Sequence, residues 1–295
     1  MAHIPVLTKE VLEYLDPKSD ENFIDGTVGQ AGHTLLLLEK NGQKGKVLGI
    51  DLDAGQIENA KAKTARYKER VILVHDSYAN LKEIVKKNDI RPVSGILLDL
   101  GFSSWQLENS TKGFSFQKDE MLDMRYDLQN TLTAEKIVNE YPEDSIKNIL
   151  KEYGEEKFAK QIAAKIVKQR AVKRIQSTFQ LKEIIESAVP AKFQRGRIHC
   201  ATRSFQALRI AVNDELQSLA KALPDALSVL SSQGRLVVIS FHSLEDRIVK
   251  NFFKEKAQEG IVTILTKKPV VASDGEVSQN PRARSAKLRA IIKTN

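Results

Sequence analysis

Three aspartates stand where short apolar runs stop. Asp25 follows Asn-Phe-Ile, Asp51 follows Val-Leu-Gly-Ile, and Asp99 follows Gly-Ile-Leu-Leu. A carboxylate in such a place accepts hydrogen bonds and attracts positive charge. Asp25 opens the run Asp25-Gly26-Thr27-Val28-Gly29-Gln30-Ala31-Gly32-His33, ahead of an apolar segment beginning at Thr34. A glycine-rich turn before a helix lets a ligand approach the backbone, and the helix start offers unpaired N–H groups. A tight turn with no ligand is the plainer alternative. The dinucleotide fingerprint needs glycines at its first, third and sixth positions, and Gly26, Gly29 and Gly32 do not fit it. A carboxylate at Asp25 would repel phosphate but attract the amino or sulfonium charge of S-adenosylmethionine.

The other two aspartates extend this reading. Asp51 can accept hydrogen bonds from both ribose hydroxyls of an adenosine ligand, while Asp53 suits the start of the next helix. Tyr78, after His75-Asp76-Ser77, either stacks on the adenine or packs in the core. Asp99 sits where an acceptor for an exocyclic amine would be needed. A base amine is a poor nucleophile, because its lone pair is delocalised into the ring. Holding its hydrogen favours attack on a methyl carbon. Capping the following turn and binding the cofactor are equal alternatives for Asp99.

These residues need a scaffold that gathers them. Candidate strands are 22–25, 46–51, 71–75 and 95–100, separated by helical patterns over 54–67 and 81–87. Such alternation implies a parallel sheet with right-handed crossovers, whose carboxyl edge carries all three aspartates. From Leu107 to Arg203 the helical period takes over. Thr133 caps a helix toward Tyr141, Pro142 opens another that stops at Gly154, a third covers 155–170, and a fourth follows Ser177. A single helix is expected over 205–230, then strands at 234–240, 261–266 and 288–292, with 271–281 as a mobile loop. Three closing strands are too few for a separate α/β core, so the expectation is one sheet interrupted by a helical insertion. The sheet domain is set at 1–106 and 204–295, and the inserted helical domain at 107–203.

Composition narrows the class. The net charge of +8 over 295 residues is compatible with a phosphate-rich partner. Between Lys157 and Arg209 the only acids are Glu183 and Glu186, which points to an RNA-facing surface over a solvated face. Arg197, Arg203 and Arg209 lie where the insertion returns to the sheet and are the candidate RNA contacts, with an internal ion pair equally open for Arg209. Arg125 organises the insertion or meets phosphate. His242 reads as a hydrogen-bonded structural residue in preference to a general base. His199 and Cys200 are adjacent, which is not metal-site spacing, so no metal is expected. The single cysteine excludes an internal disulfide. No stretch approaches the ~20 apolar residues of a membrane span, and no signal peptide is evident, so a cytoplasmic location is expected.

Taken in order, Asp25–His33, Leu97–Leu107, Gly113–Phe116, Leu122–Arg125, Tyr153–Glu156, Ala201–Ile210, Ser240–Arg247 and Asn280–Ser285 resemble the MraW family over nearly the whole chain. That resemblance implies a class I methyltransferase fold, Rossmann-like with a mostly parallel seven-stranded sheet, carrying an inserted all-helical domain that helps bind RNA. It implies methyl transfer from S-adenosylmethionine, leaving S-adenosylhomocysteine, to the exocyclic N4 amine of a cytidine in the decoding region of 16S ribosomal RNA. It also implies cofactor contacts at Ala31, Gly32, His33, Asp51, Tyr78, Asp99 and Gln106. Ala31, Tyr78 and Trp105 stand where members often carry glycine, phenylalanine and proline. The partner is then 16S ribosomal RNA within the small subunit, and a homodimer is compatible with the sequence. The rivals are a nicotinamide-dependent oxidoreductase, an RNA-binding ribosome assembly factor, and a methyltransferase of another nucleic-acid amine.

Overall fold

The computed structural model describes residues 5–101, 111–194, 196 and 198–294. The chain folds as two compact units, Met1–Gly101 with Leu216–Asn295, and Phe102–Glu215. The first is built on a seven-stranded sheet: β1 Phe23–Asp25, β2 Val47–Asp51, β3 Val71–His75, β4 Val93–Asp99, β5 Leu230–Ser240, β6 Val262–Ile264 and β7 Lys287–Lys293. The spatial order is β3-β2-β1-β4-β5-β7-β6. Pairing is parallel from β3 through to β5, and β7 runs antiparallel to both β5 and β6.

Alternation along each strand sorts its side chains onto two faces. Ile24, Leu48, Ile50, Ile96, Leu98, Leu236 and Val238 enter one cluster with Leu81, Ile84, Leu219, Leu223, Val249 and Phe253 from three helices. Phe23, Val47, Leu97, Val237 and Ile239 enter the other, with Val11, Leu15, Leu37 and Leu38. Burial on both faces explains why β4 reads as a continuous apolar run. Chain order reverses between β1 and β4, one leading outward to β2 and the other to β5. The carboxyl ends of strands at such a switch point open a crevice that helices do not fill.

The helical unit has its own core. Phe114, Leu122, Met124, Ile137, Ile146, Leu150, Ile162, Leu181 and Ile185 are buried together there with Phe205, Ala207, Leu208 and Val212. The helices are Ala134–Glu140, Glu143–Gly154, Ala159–Arg170, Thr178–Ala188 and Thr202–Asn213. Thr133 caps the first by accepting from the Lys136 N–H at 3.1 Å. Ser177 and Gln180 form a capping box at the fourth.

Several boundaries differ from the sequence-based expectation. The return to the sheet unit comes after Glu215, not at 203, because the helix Thr202–Asn213 buries its apolar side in the helical core. The single helix expected over 205–230 is two, broken at Asp214 with φ 49°. Asn and Asp tolerate that left-handed conformation, and Asn213-Asp214 supplies both. The helix expected from Glu155 begins at Ala159, because Glu155 is left-handed at φ 47° and the Glu156 carboxylate accepts the Phe158 N–H. Gly154 is the last helical residue and serves close packing, since a Cβ there would lie 2.7 Å from the Arg203 carbonyl oxygen. The expected loop 271–281 contains a helix, Asp274–Gln279, capped by Ser273. The helix Thr8–Leu15 has no counterpart among the expected elements. Among the described residues, no helix is long and apolar enough to cross a membrane.

Candidate active site at the carboxyl edge of the sheet

The turn after β1 is tied to both neighbouring strands. Gly26 N–H donates to the Leu97 carbonyl of β4, and Val28 N–H donates to the Ile50 carbonyl of β2, each at 2.9 Å. Two of the three glycines make room for protein. A Cβ on Gly26 would lie 2.5 Å from Leu98 Cδ2, and one on Gly32 would collide with Pro5 Cγ. Gly29 differs: its φ is +47°, and among the described residues a Cβ there would meet only the Thr27 carbonyl, at 3.8 Å. Ala31 is also left-handed, at φ 60°, and fully buried. That conformation costs a residue with a Cβ about 1–2 kcal/mol, so the sequence's one alanine in this turn occupies a glycine-like position.

Asp25 is only 1% exposed. Its carboxylate accepts the Thr34 hydroxyl at 2.6 Å and the Thr27 N–H at 3.2 Å, so it fastens the turn to the start of the helix Gly32–Lys40. Burial pushes its pKa up against the lowering effect of the Thr34 hydrogen bond. Asp51 is part-buried and accepts the Gly29 N–H at 2.8 Å and the Asp53 N–H at 2.9 Å. Burial pushes its carboxyl up to about 7, although those two hydrogen bonds pull the other way. Asp53 starts the next helix, Ala54–Lys63, as expected, accepting the Gly55 N–H.

Asp99 is held at the tip of β4 by its backbone, whose N–H donates to the Thr27 hydroxyl at 2.7 Å. Its Oδ2 lies 3.5 Å from His33 Nε2, and the two side chains are 20% and 6% exposed. Its Oδ1 is buried with no hydrogen-bond partner among the described residues. An unpaired carboxylate oxygen in such surroundings is costly and strongly favours a donor. Burial opposes protonation of His33. The Asp99 carboxylate facing the ring, with the charges of Asp25 and Glu276, outweighs it and raises the histidine above its ordinary range.

The structure therefore gathers Asp25, Gly29, Ala31, His33, Asp51 and Asp99 at one edge of the sheet. Tyr78 begins a single 3-10 turn after β3; it packs against the core cluster, and its Cβ stands 3.5 Å from where a Gly26 Cβ would be. Gln106 and Arg197 lie outside the described residues. Arg203 is exposed and donates to the Glu155 carbonyl at 3.2 Å. Arg209 is buried, and its guanidinium grips both oxygens of Glu215, at 2.8 and 3.0 Å, inside the helical unit. This geometry removes it from the candidate RNA contacts, since the charged group faces Glu215. Arg125 organises its own loop, pairing with Asp123 and donating to the Leu128 and Asn130 carbonyls. His242 is the N-cap of the helix Ser243–Gln258, in a capping box with Glu245.

Sequence reasoning missed Thr27, Thr34 and Glu276. The two threonines lie within or beside the glycine-rich turn, where a hydroxyl next to buried carboxylates is the available signal. Glu276 accepts the Leu7 N–H at 2.7 Å across 269 residues of chain, and nothing local announces that contact.

Residues 1–294 match the MraW methylase family. The chain belongs to that family. Its relatives include proteins named ribosomal RNA small subunit methyltransferase H. The one from Heliobacterium modesticaldum is 47% identical over 307 residues, covering 99% of this chain and 98% of that protein. The one from Sulfurihydrogenibium azorense is 46% identical over 287 residues, covering 97% of each. The one from Clostridium botulinum strain Kyoto is 45% identical over 306 residues, covering 99% and 98%. As an MraW methylase, the chain is an S-adenosylmethionine-dependent methyltransferase, which disposes of the nicotinamide reading. The edge residues fit that cofactor. Asp51 and Asp99 Oδ1 are acceptors for a ligand rich in hydroxyl and ammonium donors, and among the described residues nothing crowds the approach over the left-handed Gly29.

Proposed function

We propose that this chain methylates the exocyclic N4 amine of a cytidine in the decoding region of 16S ribosomal RNA, within the small ribosomal subunit. The observation that carries the chemistry is Asp99 Oδ1 at the β4 tip, buried with no hydrogen-bond partner among the described residues. When bound, S-adenosylmethionine supplies an electrophilic methyl carbon on a cationic sulfur. Asp99 accepts a hydrogen of the amine, directs its lone pair toward that carbon, and receives the proton released as the nitrogen gains its fourth bond. Asp51 receives the ribose hydroxyls, and Ala31, Gly32, His33, Tyr78 and Gln106 complete the cofactor's surroundings. The target base has to be unpaired or flipped for its amine to reach the site. The choice of small-subunit RNA rests on the names of relatives at 44–47% identity. Residues 107–203 are the RNA-recognition part of this proposal, with Arg203 an exposed cation suited to phosphate. The reaction then belongs in the cytoplasm, where ribosomal subunits assemble.

The test is transfer of labelled methyl to small subunits lacking their native base methylations, with mass spectrometry of the nucleosides. Label on the amine of one cytidine supports the reading. Efficient cofactor binding with no transfer to any subunit or naked RNA overturns it in favour of an assembly factor.

Asp51 makes a separate prediction with a definite sign. Folded, its carboxyl keeps a proton up to about 7, whereas the ordinary value is 3.8. The folded state therefore loses stability as pH rises through that window, and the loss is complete above it. Asp51→Asn is expected to raise the unfolding free energy of the ligand-free protein at pH 8, measured by urea denaturation, by on the order of 1 kcal/mol or more, and to change it little at pH 4. The same substitution should weaken S-adenosylmethionine binding by about tenfold or more, measured by calorimetry, because an amide cannot accept from both hydroxyls as a carboxylate does.

A further inference from the structure

His33 is buried at the first turn of its helix, and neither ring nitrogen has a well-formed hydrogen bond among the described residues. The group facing Nε2 is Asp99 Oδ2, at 3.5 Å. That separation is longer than a tight charge-assisted hydrogen bond, as catalytic contacts often are before substrate closes them. The titratable groups acting on the ring come from three elements: Asp25 at the end of β1, Asp99 at the end of β4 and Glu276 in the helix Asp274–Gln279. All three are carboxylates. A buried imidazole that faces one carboxylate at 3.5 Å and feels two more is placed to carry a proton. The two oxygens of Asp99 are thereby distinguished, one turned to His33 and one without a partner among the described residues.

We propose that protonated His33 is the positioning residue for Asp99: it engages Oδ2 and leaves Oδ1 aimed at the hydrogen of the acceptor amine. The inference rests on the reading of the site as an amine methyltransferase. As the amine nitrogen forms its bond to the methyl carbon, the carbon–sulfur pair returns to sulfur, which becomes a neutral thioether. The nitrogen sheds one proton to Asp99 Oδ1, giving a neutral carboxyl, and His33 keeps its own proton throughout. Charge is conserved: the positive charge lost at sulfur appears as the proton that neutralises Asp99. Loss of that proton to solvent after product release restores the carboxylate.

Two measurements test this, one independent of activity. In ligand-free protein, NMR titration of the His33 ring should give a midpoint above the ordinary histidine value, and Asp99→Asn should lower it. An unchanged His33 midpoint in Asp99→Asn overturns the pairing, whatever the substrate proves to be. In the methyl-transfer assay, His33→Gln keeps a hydrogen-bond donor but removes the charge. The acid limb of its pH–rate profile should move to higher pH, because the positive charge beside the acceptor is gone. A merely structural role would lower the rate at every pH and leave the limb in place, and that result also overturns the proposal. Should wild-type protein transfer no methyl group at all, the functional reading fails, and the NMR coupling still decides whether the pair exists.

Discussion

Asp99→Asn is expected to lower the turnover of methyl transfer by about 10²–10⁴-fold, the usual range for a positioned proton acceptor. The substitution is nearly isosteric, and the backbone N–H that anchors residue 99 to the Thr27 hydroxyl is untouched. The fold around β4 should persist, since Ile96, Leu97 and Leu98 remain buried and their pairing with β1 and β5 is a backbone property. What changes is the acceptor. An amide offers one oxygen of reduced basicity, and its NH₂ group placed toward the amine would meet donor with donor. The decisive comparison is between kcat and the dissociation constant of S-adenosylmethionine, taken on the same preparation. A large fall in kcat with less than a tenfold change in cofactor affinity assigns Asp99 to the reacting amine. A loss confined to cofactor affinity, with kcat preserved at saturation, would make it a cofactor-holding residue and leave the amine without a protein acceptor.

The aspartates of this site were legible in the sequence because each ends a buried strand, and buried strands are conspicuous. Gly-Ile-Leu-Leu-Asp and Val-Leu-Gly-Ile-Asp announce both the element and the polar residue at its tip. Switch-point geometry follows once the strands are taken as parallel. Glycine spacing was legible as a turn but ambiguous in purpose. Only tertiary structure separates Gly26 and Gly32, which accommodate Leu98 and Pro5, from Gly29, which is left-handed and uncrowded among the described residues. The His33–Asp99 contact joins residues on different elements, and its distance is a tertiary fact with no local signature. The same holds for Glu276, whose segment combines Ser, Asp and Gly and reads as loop, yet forms a capped helix within reach of the N-terminal chain. Where local preference was decisive the reading was good, as at the Thr133 and Ser177 caps. It failed at Asp214, where one residue in the left-handed conformation interrupts an otherwise continuous helical pattern.

Arg209→Met is expected to destabilise the folded chain by about 3–5 kcal/mol, because it strands the Glu215 carboxylate in a buried site. Glu215 is 8% exposed, and besides Arg209 its Oε1 accepts the Tyr126 hydroxyl at 3.0 Å. The pair closes the turn at Asp214, so its loss removes both a charge partner and a constraint on the chain leaving the helix Thr202–Asn213. Replacing both residues by apolar groups of similar volume should recover most of the stability, since the penalty lies in the uncompensated charge. Arg203→Ala provides the contrast. Its side chain is exposed and its guanidinium donates to a backbone carbonyl, so stability should change by less than about 0.5 kcal/mol. A phosphate role would appear instead as weaker RNA binding with a shallower salt dependence. Urea denaturation and RNA titration of the two variants therefore separate an arginine that builds the helical unit from one that serves its partner. If Arg209→Met left stability unchanged and only weakened RNA binding, the buried pair would have to open in solution, and Arg209 would rejoin Arg203 on the RNA-facing side.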